Sequence, residues 1–193
     1  MALITTKTGD GGMTQLNPNR IASKTHPVIE IMGAIDEMSC ALGLSGDKFD
    51  GVQTFLSELM GYLYFKQLDE RRVAQQIWQM EDYITTHNNS IPPFFTNPRG
   101  YVSLARAICR RAERRVVEFV ESERVVPEIE RYGMNMTPII QYLNRLSDYL
   151  FVKSFERAAI NPELFKDELS APANTSAAIM EEPAEPQLKF AVG

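Results

Sequence analysis

A chain of 193 residues with 44% hydrophobic and 23% charged side chains has the balance of a globular domain with a sizeable core, which argues against both a disordered polyelectrolyte and a membrane protein. Its formal net charge of −5 disfavours nucleic-acid binding by overall attraction, so an anionic ligand has to be met by a local cluster of cations. Cys40 and Cys109 form no Cys-x-x-Cys pair, the start MALITTKTGDGG lacks a signal-peptide core, and no run of about 18 apolar residues offers a membrane span, which together predict a cytoplasmic protein.

Residues 1–26 are rich in Thr, Gly, Asn and Lys without a helical period, which predicts an ordered loop or extended arm. From Pro27 onward, Val28, Met32, Ile35 and Leu42 recur at helical steps and predict an amphipathic helix to about Leu44, with Pro27 in its first turn. Val52, Phe55, Leu56, Leu59 and Leu63 predict a second helix, and Val73, Ile77, Met80 and Ile84 a third. The pattern breaks from Asn88 to Pro98. A fourth helix over about 100–123 carries Cys109, Ala112, Val116 and Val120 on one apolar face, and a fifth begins near Pro138 with Ile139, Leu143, Leu146 and Leu150. Beyond about Ile160 the composition turns to Ala, Pro, Glu and Ser, the mark of a flexible tail. Five helices, no convincing strand and short connections predict an all-α, up-and-down five-helix bundle over 27–159, flanked by an arm over 1–26 and a tail over 160–193.

Four segments have the residue types for chemistry. Thr5 to Gly12 (TTKTGDGG) combines glycines, which free backbone N–H groups, with the charge of Lys7, as a polyphosphate site needs. It lacks the Walker A spacing, and a Gly-rich arm is often structure alone. On the fourth helix Arg106, Arg110, Glu113 and Arg114 share a face and can aim guanidinium groups at one anion, or can form a solvated face bridged by Glu113. Asn144 and Asp148 stand one turn apart on the fifth helix, where Asn144 suits either a ribose or base edge or an interhelical hydrogen bond. Asp36, followed by Glu37, is either a surface carboxylate pair or a group that orients an arginine across the bundle.

These blocks, in this order, resemble the PduO-type ATP:corrinoid adenosyltransferases. The resemblance rests on TKTGDGG at 6–12, GAIDEMS at 33–39, CRRAERRVV at 109–117 and YLNRLSDYLF at 142–151, and it covers about residues 1–158. It implies a ferritin-like helical bundle assembled as a homotrimer, with ATP and corrinoid held between adjacent subunits. Thr6, Lys7, Thr8, Gly9 and Asp10 would cradle the triphosphate. Arg110, Glu113, Arg114 and Asn144 would complete the nucleotide site and the surroundings of an ATP-bound Mg²⁺, and Asp36 with Arg106 would hold the interface near the corrinoid. Lys7, Arg110 and Arg114 would carry catalysis. No direct protein ligand to a metal is implied.

The implied reaction moves the 5′-deoxyadenosyl group of ATP onto the cobalt of cob(I)alamin. Co(I) is nucleophilic enough to need no general base, which suits a chain without a catalytic His, Ser or Cys arrangement. The two histidines, His26 and His87, lie outside any Asp-x-His-x-x-Gly segment, so cobalamin is expected as substrate and not as resident cofactor. A reductase or a cobalamin-dependent acceptor enzyme is the implied further partner. The chain departs from the family where a Phe-Ile-Leu-Pro-Gly-Gly stretch is usual: here stands Ser90-Ile91-Pro92-Pro93-Phe94-Phe95. Ser90 occupies the register of the aromatic expected below the corrin, with Phe94 and Phe95 as shifted substitutes. That departure keeps a second expectation open, a non-catalytic carrier or regulator that binds ATP or cobalamin on the same bundle.

Overall fold

The computed structural model of the chain describes residues 7–87, 100–124 and 132–160. Among them run α1 (Pro27–Gly43), α2 (Asp50–Phe65), α3 (Glu70–His87), α4 (Tyr101–Glu123) and α5 (Thr137–Ile160), preceded by β1 (Met13–Asn17) and β2 (Arg20–Ser23). Thr6, the segment with Ser90, Phe94 and Phe95, and residues 161–193 lie outside the described residues.

Local chemistry explains the helix boundaries. Before α1, His26 is extended and its Nδ1 accepts a hydrogen bond from the Val28 N–H at 3.2 Å, which occupies a donor that the first turn would otherwise leave orphaned. Pro27 follows at the position where a missing N–H costs nothing. At the far end of α2, Lys66 adopts a left-handed conformation (φ 56°) and its N–H closes on the Tyr62 carbonyl. Its ammonium then reaches the Tyr132 carbonyl at 2.7 Å, so the cap residue also ties α2 to the chain entering α5.

Each helix buries one stripe. Val28, Ile31, Ile35, Met38 and Leu42 of α1 are fully covered, as are Phe55, Leu56, Leu59 and Leu63 of α2, while α4 contributes Ala105, Cys109, Ala112 and Val116. Ile139, Leu143, Leu146 and Leu150 of α5 complete the core, with the rings of Phe55 and Tyr142 tilted against each other 4.7 Å apart. Named contacts fix the helix directions. Gln53 of α2 donates to the Ser39 carbonyl of α1, Glu37 of α1 pairs with Arg111 of α4, and Cys109 of α4 donates to the Leu143 carbonyl of α5. Glu113–Asn144 and Arg106–Phe151 step in opposite senses along α4 and α5, which run antiparallel, whereas Glu81–Arg145 and Tyr83–Tyr149 step together along α3 and α5, which run parallel; α1 packs on α2 and α4, and α5 lies between α4 and α3. The up-and-down bundle expected from the periodicity is the fold.

The expectation of no strand needs correction. Met13 to Ser23 form an antiparallel hairpin with Met13 opposite Ser23 and Gln15 opposite Ile21, turning through Pro18 and Asn19. The Asn17 carboxamide oxygen accepts from the Asn19 N–H at 2.9 Å and shapes that turn. The strands are too short for a readable alternation, since each buries a single apolar side chain, Leu16 or Ala22. Leu16 is fully enclosed, which is worth about 1.5–3 kcal/mol and anchors the hairpin, whose first strand leans on α2. Among the described residues, no helix is long and apolar enough to cross a membrane.

Candidate functional site

The antiparallel pairing of α4 and α5 brings the two specific sequence blocks to one level. Asn144 Nδ2 on α5 donates to Glu113 Oε1 on α4 at 3.1 Å, joining residues 31 positions apart. Just inside this bond, the Cys109 thiol donates to the Leu143 carbonyl at 3.2 Å. Burial, aided by Glu113 and Asp148, pushes that thiol far above its ordinary range, so it packs as an apolar group and is no nucleophile. Tyr142 is buried beside it and its phenol is likewise held protonated.

Glu113 stands between two open clefts. One is walled by Arg110, Glu113, Arg114 and Val117, with Glu118 and Glu121 at its far end. The other lies between α3 and α5, where Ile77 and Ile140 form apolar walls and Glu81, Gln141, Asn144 and Arg145 supply the polar groups.

The arginines divide sharply. Arg111 is engaged by Glu37, Arg115 by Glu118 at 3.3 Å, and Arg72 by Glu58 at 3.3 Å. Arg110 and Arg114, one turn apart and exposed, have no hydrogen-bonding or ion-pair partner among the described residues. Two guanidinium groups side by side, neither bonded to a carboxylate among the described residues, make a receptor for an extended anion, since each can offer a forked pair of N–H donors. Arg106 lies deeper, its guanidinium 4.7 Å from the Phe151 ring centre. Burial and then Arg110 lower its pKa, while Asp148 acts in the opposite sense. Asp36 is exposed on α1, and within the chain its neighbour Glu37 is the carboxylate that holds an arginine.

The arm forms a succession of tight turns. The Asp10 N–H donates to the Lys7 carbonyl at 3.3 Å, Gly12 to Gly9 at 3.2 Å, and Lys24 to Gly12 at 2.9 Å, which fastens the arm to the end of the hairpin. Lys7 takes a left-handed conformation (φ 59°) and Gly12 another (φ 77°), which lets the chain reverse direction within a few residues. A side chain at Gly9 would meet the Lys24 ammonium at 3.0 Å, so the arm lies close against the lysine that follows its own hairpin. No bond within the chain joins Lys7, Gly9 or Asp10 to Arg110, Glu113, Arg114 or Asn144.

Sequence reasoning singled out Arg110, Glu113, Arg114 and Asn144, and these gather on one face; it missed Glu81 and Arg145. Arg145 Nε donates to Glu81 Oε1 at 2.9 Å, and its Nη1 to Asp148 Oδ2 at 3.1 Å. The Arg145–Asp148 half could have been found from its three-residue spacing; the Glu81 half crosses 64 positions and has no sequence signal.

A family model described as cobalamin adenosyltransferase matches residues 4–156. A corrinoid adenosyltransferase of Bos taurus is 30% identical over 174 residues, covering 77% of this chain and 68% of its own length. A cobalamin adenosyltransferase of Cupriavidus metallidurans is 31% identical over 169 residues, covering 79% and 86%. Among solved structures, a variant PduO-type ATP:corrinoid adenosyltransferase from Lactobacillus reuteri, complexed with cobalamin and ATP, superposes with a TM-score of 0.68 at 24% identity over 83% of this chain and 93% of that one. With the arm, the arginine face and the α4–α5 bond in place along a matched span of residues 4–156, the chain belongs to the cobalamin adenosyltransferase family.

Proposed function

We infer that this chain transfers the 5′-deoxyadenosyl group of ATP to the cobalt of a reduced corrinoid, giving an adenosylcorrinoid and triphosphate. The observation that carries the assignment of the site is the pair Arg110 and Arg114, exposed and without partners among the described residues, on the face where Glu113 meets Asn144. The Co(I) electron pair forms the bond to the 5′-carbon, the bond from that carbon to the ester oxygen breaks, and triphosphate departs with the electrons. No proton needs to move at the reacting carbon, which fits a cleft lined by arginines, carboxylates and an amide. The protein's part is to hold the 5′-carbon in line with cobalt and to stabilise the charge that gathers on the leaving triphosphate.

In this reading Lys7, with Thr6, Thr8, Gly9 and Asp10, wraps the triphosphate, and Arg110 and Arg114 take its departing charge. Asn144 positions the nucleoside. Mg²⁺ arrives on the triphosphate; Glu113 spends Oε1 on Asn144 and keeps Oε2 unpartnered among the described residues, so it suits the water shell of that ion. Bound there, the metal would supply neutralising charge to the leaving group. Because none of Lys7, Gly9 and Asp10 bonds to the arginine cleft of its own chain, a site completed between copies in a homotrimer is the economical assembly. Asp36 and Arg106 belong to the corrinoid side of that interface, joined by Phe94 and Phe95. The chain works in the cytoplasm and exchanges corrinoid with a reductase or an acceptor enzyme.

The test is the absorbance of cob(I)alamin mixed anaerobically with ATP, Mg²⁺ and the protein, against a control without protein. Conversion to an alkylcobalamin spectrum at a rate that Arg110→Ala abolishes is the expected result. Tight ATP binding without conversion would establish the carrier or regulator that the substituted segment at 90–95 leaves open.

A further inference from the structure

Building on the adenosyltransferase reading, we propose that Arg145 is a positioning residue whose bond to Glu81 sets the roll of α5 and so places Asn144 and Glu113 for the nucleotide. The obvious alternative for an arginine on the rim of this cleft is a third contact to triphosphate. The geometry argues against it, because Nε and Nη1 are already committed to Glu81 at 2.9 Å and to Asp148 at 3.1 Å, whereas Arg110 and Arg114 are committed to nothing among the described residues.

Successive helical residues point about 100° apart around the axis. Asn144 therefore reaches sideways to α4 and Arg145 to α3, from the same level of α5. The buried stripe Ile139, Leu143, Leu146 and Leu150 fixes which face of α5 turns inward, and within that coarse setting the polar contacts on the rim choose the final roll. Two hydrogen bonds diverging from adjacent residues resist rotation: turning α5 to relax one stretches the other. Asp148, one turn further on, holds the Arg145 guanidinium from its own helix and limits its swing. The Asn144 amide is thus delivered to Glu113 in a fixed orientation, and in-line displacement demands such accuracy, because a misplacement of about 1 Å can cost about a hundredfold in rate.

The ion pair contributes little to stability. Side-chain exposures of 34% for Arg145 and 48% for Glu81 put it in the class of solvent-screened pairs. Variants that lose it are therefore expected to fold, and its effect is expected in turnover.

The experiment is a double-mutant cycle of Arg145→Gln, Glu81→Gln and the pair together, with Arg145→Lys as the conservative variant. It is measured on kcat at saturating ATP and cob(I)alamin and, separately, on ATP affinity by calorimetry. Each single variant is expected to lower kcat about tenfold and ATP affinity about threefold, with ATP bound per chain at saturation unchanged. The double variant is expected to be no worse than either single, since both break the same bond, and Arg145→Lys to recover part of kcat. Multiplied losses in the double variant, or a loss in affinity larger than that in kcat, would mean that Arg145 touches ATP and would overturn the proposal. Unchanged kcat and affinity in the singles would overturn it as well. A wild-type protein that binds ATP but forms no adenosylcobalamin sinks the transferase reading alone, and the affinity cycle then decides on the brace; a wild type that binds no ATP sinks both.

Discussion

Arg110 and Arg114 differ from the arginines beside them only in what surrounds them. Arg111 and Arg115, in the same run of sequence, are each neutralised by a glutamate, so their charge is spent locally. Composition counts these residues as equals; the partners decide which of them remain available to a ligand. Replacing Arg110 with Ala is expected to lower kcat/KM for ATP by roughly 10²–10³-fold, about 3–4 kcal/mol, as for loss of one preorganised charge-stabilising donor. The same change should alter folding stability by no more than about 0.5 kcal/mol, because an exposed, unpartnered side chain contributes little to the fold. Steady-state kinetics beside a urea unfolding curve would check both halves. At Asn144 the comparison is between Ala and Asp. Ala removes a donor to Glu113, whereas Asp sets a second carboxylate against it, so calorimetry should find Asn144→Asp the weaker ATP binder of the two.

At the scale of elements, the five helices were readable because each buries one stripe and solvates the rest, which imprints a 3.6-residue period on the sequence. Tyr101–Glu123 begins and ends, and Thr137–Ile160 begins, within about two residues of the expected positions. The hairpin was not readable, since a strand that buries one leucine leaves no period to detect. The same logic separates the two halves of the site. Arg110, Glu113 and Arg114 share a helix face and announce themselves by spacing, whereas the Glu81–Arg145 bond depends on which helices become neighbours. The α1 cap shows how a local choice sets a pH response. Nδ1 of His26 must be unprotonated to accept the Val28 N–H, and burial together with Arg20 lowers its pKa below 6.5, with Glu123 acting the other way. A group that binds its proton less readily when folded stabilises the fold above its unfolded pKa, near 6.5, and that contribution is lost as pH falls through the folded value. His26→Asn keeps a capping acceptor and removes the titration. Its unfolding midpoint should change less between pH 7.5 and 5 than that of the parent protein, and an equal change in both would assign the acid sensitivity to another group.

The whole molecule raises the question of which arm serves which arginine cleft. Within one chain the hairpin leans on α2 through its first strand, and none of Lys7, Gly9 or Asp10 bonds to the α4–α5 face. If the arm completes the cleft of a neighbouring copy, a chain defective in its arm and a chain defective in its cleft can repair each other. Lys7→Ala and Arg110→Ala, each nearly inactive alone, would be co-expressed in equal amounts so that they assemble at random. A site built from two chains is intact when its arm comes from the Arg110 variant and its cleft from the Lys7 variant. Random assembly makes that combination in about one quarter of the sites of a closed ring. Activity should therefore return to about a quarter of the parent level in the co-expressed protein, while the two variants assayed in a simple sum stay inactive. If instead each arm folds over its own cleft, every site in the mixture carries one lesion and no activity returns. The two geometries differ by a signal well outside assay error, and the result fixes the route by which ATP is enclosed.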